Sequence, residues 1–137
     1  MPQSDRYIGV KYAFLGESPE EGFDCASVVF HYLRDLGYAV PLPWRLFAAG
    51  CSPAQAMVRA RRWVEVNGTR LEGVRPTVGA LIAFCWPGDK EPGHLGAIVD
   101  SDRFLNIYCG ATGHLETLGP AWLKLVHSYW RLPWAQS

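Results

Sequence analysis

The sequence has no excess of charge of either sign: thirteen lysines and arginines balance thirteen aspartates and glutamates. A neutral chain has no bulk attraction to phosphate backbones or anionic lipid, so we expect neither nucleic acid nor a membrane as partner. Its apolar stretches are far too short to cross a bilayer as helices. The first six residues lack a basic segment followed by an apolar one, which predicts no secretion signal.

Cysteine is sparse and scattered, at positions 25, 51, 85 and 109. No two cysteines have C-x-x-C spacing, which argues against a zinc site or a redox dithiol. Two disulfides are possible by count, but a chain that is 49% hydrophobic does not need such cross-links. We therefore expect no metal and no cofactor.

The chain does contain enough apolar surface for one core, because a domain of this length buries roughly 68% of its unfolded surface. We expect a single domain over residues 1–137. Helical patterns fill the first half and short strand patterns the second. This order predicts an α+β fold, with N-terminal helices packed on an antiparallel sheet of five to six strands.

Capping signals define two helices. Asp24 is a suitable N-cap, apolar residues then recur at helical spacing, and Gly37 is a suitable stop. Ser52 and Gln55 have the spacing of a capping box, which predicts a second helix ending near Arg62.

Turn signals define the strands. Asn67 and Gly68 are typical of a tight turn, so we predict a hairpin over residues 63–72. Further strands are predicted over residues 78–85, 94–99, 103–109, 114–118 and 127–132, with a helical turn beginning at Pro120.

Cys25 is the most informative residue, because it lies where a polar loop becomes a helix. Unpaired N–H groups and the helix dipole favour an anion at that end. We therefore expect its thiol to ionise more readily than a free cysteine and to act as a nucleophile.

A nucleophilic cysteine needs a base, and His94 is the best candidate among the four histidines. It opens a strand directly after a loop that solvent can reach. His31 follows Cys25 on the same helix at a rotation that turns it away from the sulfur. His114 and His127 have no comparable setting.

Asn106 can orient His94 if the strands pair in the right register. A hairpin centred on Asp100 puts residue 106 directly opposite residue 94. A two-residue turn at Ser101 and Asp102 would instead put Asn106 on the opposite face. A Cys–His–Asn site therefore depends on the parity of this turn.

Several segments resemble motifs of the NlpC family of papain-like cell-wall cysteine peptidases. The specific ones are Phe-Asp-Cys and Gly-His-x-Gly, and the resemblance covers about Tyr7 to Cys109. The matching segments are 11–16, 22–26, 76–84, 93–98 and 104–106.

The resemblance implies a papain-like core and hydrolysis of peptidoglycan stem peptides, commonly at the γ-D-glutamyl–diamino acid bond. By this resemblance Cys25 is the nucleophile, His94 the base and Asn106 the residue that orients the imidazole. Tyr12 matches a tyrosine that faces the nucleophile and can contact the oxyanion. Asp24 matches a residue that helps to bind the free amine of the stem peptide in some members.

Four residues depart from the family pattern: Lys11, Glu17, Ala26 and Ala80. None belongs to the triad, but Glu17 and Ala26 alter the edge of the site. The segment between Cys25 and His94 is longer than in most members, and the predicted hairpin 63–72 is the expected insertion.

Two other functions remain open. Related papain-like proteins act as acyltransferases or amidases on other acyl groups, and a phage tail assembly or wall-binding module with a vestigial site would look similar. We expect a protein made in the cytoplasm that acts at the cell wall through a phage particle or lysis. Its expected partners are peptidoglycan peptides and phage tail proteins.

Overall fold

The computed structural model describes residues 3–73 and 76–135. A 3₁₀ helix over Gln3–Tyr7 precedes four α-helices: α1 (Cys25–Asp35), α2 (Trp44–Phe47), α3 (Pro53–Asn67) and α4 (Pro120–Leu123). The six strands, also numbered in chain order, are β1 (Thr69–Leu71), β2 (Leu81–Phe84), β3 (His94–Ile98), β4 (Arg103–Asn106), β5 (His114–Thr117) and β6 (Val126–Arg131). Within the described ranges, no helix has both the length and the hydropathy needed to span a membrane.

The capping signals of α1 act as predicted. The Asp24 carboxylate accepts hydrogen bonds from the N–H groups of Ala26 and Ser27, and the Ser27 hydroxyl accepts one from the N–H of Asp24. Gly37 lies just past the end at φ +104°, a conformation that L side chains rarely adopt. These local contacts fix the position at which the helix begins, and hence the position of Cys25.

The predicted hairpin over residues 63–72 is wrong, because α3 continues to Asn67. Ala56, Ala60 and Val64 are all buried at a spacing of four, and this apolar stripe holds the segment as helix. The Asn67 side chain donates to the carbonyl of Trp63, a bond between residues one helical turn apart. The local Asn-Gly turn signal is therefore overridden by packing.

The six strands form one antiparallel sheet in the order β1-β6-β2-β3-β4-β5. The strands predicted over the second half of the chain are confirmed, although several are shorter than predicted. β1, which was expected to pair within its own hairpin, pairs with β6 at the edge of the sheet. The α+β arrangement of helices on an antiparallel sheet is confirmed.

The two faces of the sheet bury different clusters. Leu81, Ala83, Leu95 and Leu105 face the large core that contains α1. Ile82, Phe84, Ile98 and Phe104 face a smaller cluster that Trp122 helps to cover. Because side chains alternate along a strand, His94 and Asn106 share a face with this smaller cluster.

Candidate active site

Cys25 is the first residue of α1 and is half-buried. The pKa of its thiol is raised to about 12, mainly by burial and also by the nearby Asp24 charge. Hydrogen bonds from the backbone N–H groups of Leu95, Cys25 and Ala26 act in the opposite direction. The expectation that this thiol ionises more readily than a free cysteine is therefore wrong, because burial outweighs the helix N-terminus.

His94 is the first residue of β3 and is 1% exposed. Its Nε2 lies 2.9 Å from Oδ1 of Asn106, whose Nδ2 donates to the carbonyl of His114 at 3.5 Å. Since the amide oxygen only accepts, this arrangement places the ring proton on Nε2. Nδ1 is then the nitrogen that can accept a proton.

The pKa of His94 is lowered to about 4, mainly by burial and to a smaller extent by the nearby His114. The hydrogen bond with Asn106 acts the other way, because it favours the protonated ring. At neutral pH these two shifts favour a neutral thiol and a neutral imidazole.

The strand register differs in one respect from the prediction. Ala97 pairs with Leu105 and Ile98 with Phe104, so the β3–β4 turn is centred on Ser101 rather than on Asp100. Continued by one residue, this register puts Asn106 opposite Gly96 and diagonal to His94. The even parity is unchanged, so both side chains lie on one face and reach each other.

Aromatic rings surround His94. Ring centroids of Phe84, Trp86, Tyr108 and Trp122 lie 4.9–6.0 Å from that of the imidazole. The indole Nε1 of Trp122 donates to Glu116, which fixes the ring. Trp122 was not predicted, because α4 is brought to His94 only by the tertiary fold.

The Cys25 thiol contacts the backbone of β3 at the residue next to His94. One of the N–H groups on the sulfur belongs to Leu95, which directly follows His94. The start of α1 and the start of β3 are therefore adjacent, as a site built from both residues requires. Of the three histidines set aside from sequence, His31 of α1 packs against Phe23, and His127 is exposed. The third, His114, lies near the site, because its carbonyl accepts from Asn106.

Tyr12 lies at the same place. Burial raises the pKa of its phenol to about 12, and the charges of Cys25 and Asp24 act in the same direction. A small depression lies between Cys25 and apolar or aromatic side chains. Its walls are Tyr12, Phe14, Trp44, Pro53, Ala56 and Met57.

Asp24 is buried, with 4% of its surface exposed. Oδ1 accepts from the N–H groups of Ala26 and Ser27, at 3.1 and 2.8 Å. Oδ2 accepts from the N–H of Leu15 and from Nε1 of Trp44, at 3.0 and 2.9 Å. A role for this carboxylate in binding a substrate amine stays a prediction, and four internal donors argue against it.

The described residues contain no group of three or more histidine, cysteine or acidic side chains placed to hold a metal. All four cysteines are free thiols in this structure.

No protein-family model matches the chain. A γ-DL-glutamyl hydrolase of Bacillus subtilis is 42% identical over 40 residues, which is 28% of this chain and 10% of that protein.

Solved structures match nearly the whole chain. An NlpC/p60-family protein described as similar to a lipoprotein, from Staphylococcus aureus, has a TM-score of 0.66 at 17% identity and covers 97% of this chain. An NlpC/p60-family protein of Bacillus cereus gives 0.66 at 16% identity and 96% coverage. This chain spans only 40% and 38% of those two proteins.

The NlpC/p60 domain of the peptidoglycan hydrolase SagA has a TM-score of 0.58 at 18% identity, with 93% of this chain and 91% of that one covered. The predicted resemblance is thus confirmed at the level of three-dimensional structure: this chain has the papain-like fold of the NlpC/p60 proteins.

Proposed function

We propose that this chain is a cysteine peptidase that hydrolyses an amide bond in peptidoglycan stem peptides. The observation that carries the proposal is the buried 2.9 Å contact between His94 Nε2 and Asn106 Oδ1, beside the β3 backbone that contacts Cys25. An amide oxygen that holds the proton on Nε2 leaves Nδ1 as the nitrogen that can act as a base.

In the proposed reaction, Nδ1 of His94 takes the proton of the Cys25 thiol as the sulfur attacks the amide carbon. The backbone N–H of Cys25 and the Tyr12 hydroxyl stabilise the oxyanion. The imidazolium then gives its proton to the leaving amine, and a thioester remains. A water molecule, deprotonated by His94, hydrolyses the thioester and restores the thiol.

The bond that we propose is the γ-D-glutamyl–diamino acid bond. The family motifs imply it, and the B. subtilis relative is named for action on a γ-glutamyl linkage. Because that relative matches only 28% of this chain, the substrate itself is a proposal. The protein would reach the wall through a phage particle or lysis, with phage tail proteins as partners.

The test is digestion of purified peptidoglycan, followed by mass spectrometry of the fragments. We expect wild type to release fragments ending in a free glutamyl γ-carboxyl, and fragments that begin with a free diamino acid amine. Cys25→Ala should release neither, whereas Cys51→Ala, a matched loss of another half-buried thiol, should behave as wild type. Unchanged cleavage by Cys25→Ala would refute the proposal.

One observation favours a second candidate, a wall-binding module with a vestigial site. The raised thiol pKa and the enclosure of His94 would also suit a site that has lost its chemistry. A protein that binds insoluble peptidoglycan but releases no fragment would support this second candidate.

A further inference from the structure

The carboxylate next to the nucleophile is already fully used by the chain. A carboxylate offers about four acceptor positions. In Asp24 these are taken by three backbone N–H groups and one indole N–H, at 2.8 to 3.1 Å. With 4% of the residue exposed, a substrate ammonium has no free lone pair to meet.

Trp44 is the donor that distinguishes this arrangement from simple helix capping. Its indole N–H comes from a residue 20 positions away, not from the loop or the helix that Asp24 caps. The ring is 1% exposed and packs on Phe30, with ring centroids 5.6 Å apart.

The backbone of Trp44 is fixed as well. Its N–H donates to Oε1 of Glu17, and Glu17 is the residue that replaces a glycine of the family pattern. Trp44 is therefore held at both its backbone and its indole, and its indole N–H stays directed at Asp24.

The depression beside Cys25 is mostly apolar. It is lined by rings and aliphatic groups, and among the described residues that line it Asp24 alone is charged. An ammonium bound there would lose its water shell without gaining a free carboxylate, which is costly. An amide or acyl group would lose much less.

We propose that Trp44 is a specificity-determining positioning residue that acts through Asp24. Because its indole N–H occupies Asp24, the site selects a substrate whose first amine is acylated and uncharged over one with a free N-terminal amine. The inference rests on the proposed peptidase function. It implies that the substrate is a stem peptide whose first amine is still in amide linkage.

The test compares two synthetic peptides, L-Ala-γ-D-Glu-diaminopimelic acid and its N-acetyl derivative. Wild type should hydrolyse the N-acetyl peptide with a kcat/KM at least equal to that of the free-amine peptide. In Trp44→Phe, loss of the indole N–H frees one position on Asp24. The ratio of the two kcat/KM values should then move toward the free amine by about tenfold, the effect of one charge-assisted contact.

Trp130→Phe is the matched control, because it removes an indole hydrogen bond to Ser128 at 2.8 Å elsewhere on the sheet. It should leave the ratio unchanged. A tenfold or greater wild-type preference for the free-amine peptide would overturn the inference, whether or not Trp44→Phe folds. Cleavage of neither peptide by wild type would instead refute the proposed peptidase function.

Discussion

The protein buries two histidines, His94 and His31, and they differ in how their nitrogens are used. His94 and His31 are 1% and 6% exposed, and burial lowers the pKa of both. In His94, Nε2 is held by Asn106 and Nδ1 is left as a base. In His31, Arg34 contacts Nδ1 at 3.2 Å, and Nε2 has no hydrogen-bond partner among the described residues.

Burial alone therefore does not identify a catalytic histidine. His31 lies between Arg34 and Glu17, whose Oε1 is 3.7 Å from Nε2, beyond hydrogen-bond reach. The positive charge of Arg34 further disfavours protonation of this ring. His94 has instead a neutral amide partner, and the residue after it contacts the Cys25 thiol through its backbone N–H.

The largest contrast should appear in turnover. His94→Gln should reduce kcat/KM on a stem peptide by about 10³-fold, because it removes the proposed general base. The kcat/KM of His31→Gln should stay within about threefold of wild type, because this substitution alters surface and packing contacts. Steady-state hydrolysis rates of both variants check this, and equal losses would remove the distinction between the two histidines.

Stability should depend on pH through the same residues. The folded pKa of His94 is about 4, below its ordinary 6.5, so folding favours the neutral ring. Its contribution is complete above pH 6.5 and is lost as the pH falls toward 4. Denaturant unfolding should show His94 costing up to about 3 kcal/mol over that interval.

His94→Gln should make the free energy of unfolding less dependent on pH, and His31→Gln should do the same. Two variants that both retain the wild-type pH dependence would contradict the burial argument.

Asn106→Ala should reduce kcat/KM by about tenfold to a hundredfold, because the ring loses the contact that orients it. The same bond favours the protonated ring, so its loss should also move the acid limb of the pH–rate profile downward. Arg34→Ala, which removes the neighbour of His31, is the matched control and should leave the profile in place. An upward shift in Asn106→Ala would contradict the assignment.

The smallest effect concerns the aromatic enclosure. Trp122→Ala opens the side of His94 that this indole covers, at a centroid distance of 6.0 Å. Added water should raise the pKa of His94 by about one unit, with a modest change in the rate plateau. A profile identical to that of wild type would show that Trp122 does not contribute to the desolvation of His94.

The sequence predicted well what local contacts determine. The start of α1 follows from the Asp24 cap and its end from Gly37, so the place of Cys25 was predictable. The shared face of His94 and Asn106 needed only the parity of one turn. The centre of that turn was one residue off, because sequence alone did not choose between Asp100 and Ser101.

The errors have a common physical origin in tertiary packing. The stripe of Ala56, Ala60 and Val64 extended α3 through a strong Asn-Gly turn signal. Burial reversed the expected shift of the Cys25 pKa. The contact between Trp44 and Asp24 joins residues with no local relation, so no pattern in the sequence could reveal it.

The central claim is that Cys25 forms a covalent thioester with the acyl part of a stem peptide. Its most direct test is an acid quench of wild type during turnover, followed by peptide mapping with mass spectrometry. We expect an added mass equal to the acyl part on Cys25, and none on Cys51, Cys85 or Cys109. Continued cleavage by Cys25→Ala, with no adduct on any wild-type cysteine, would contradict the account.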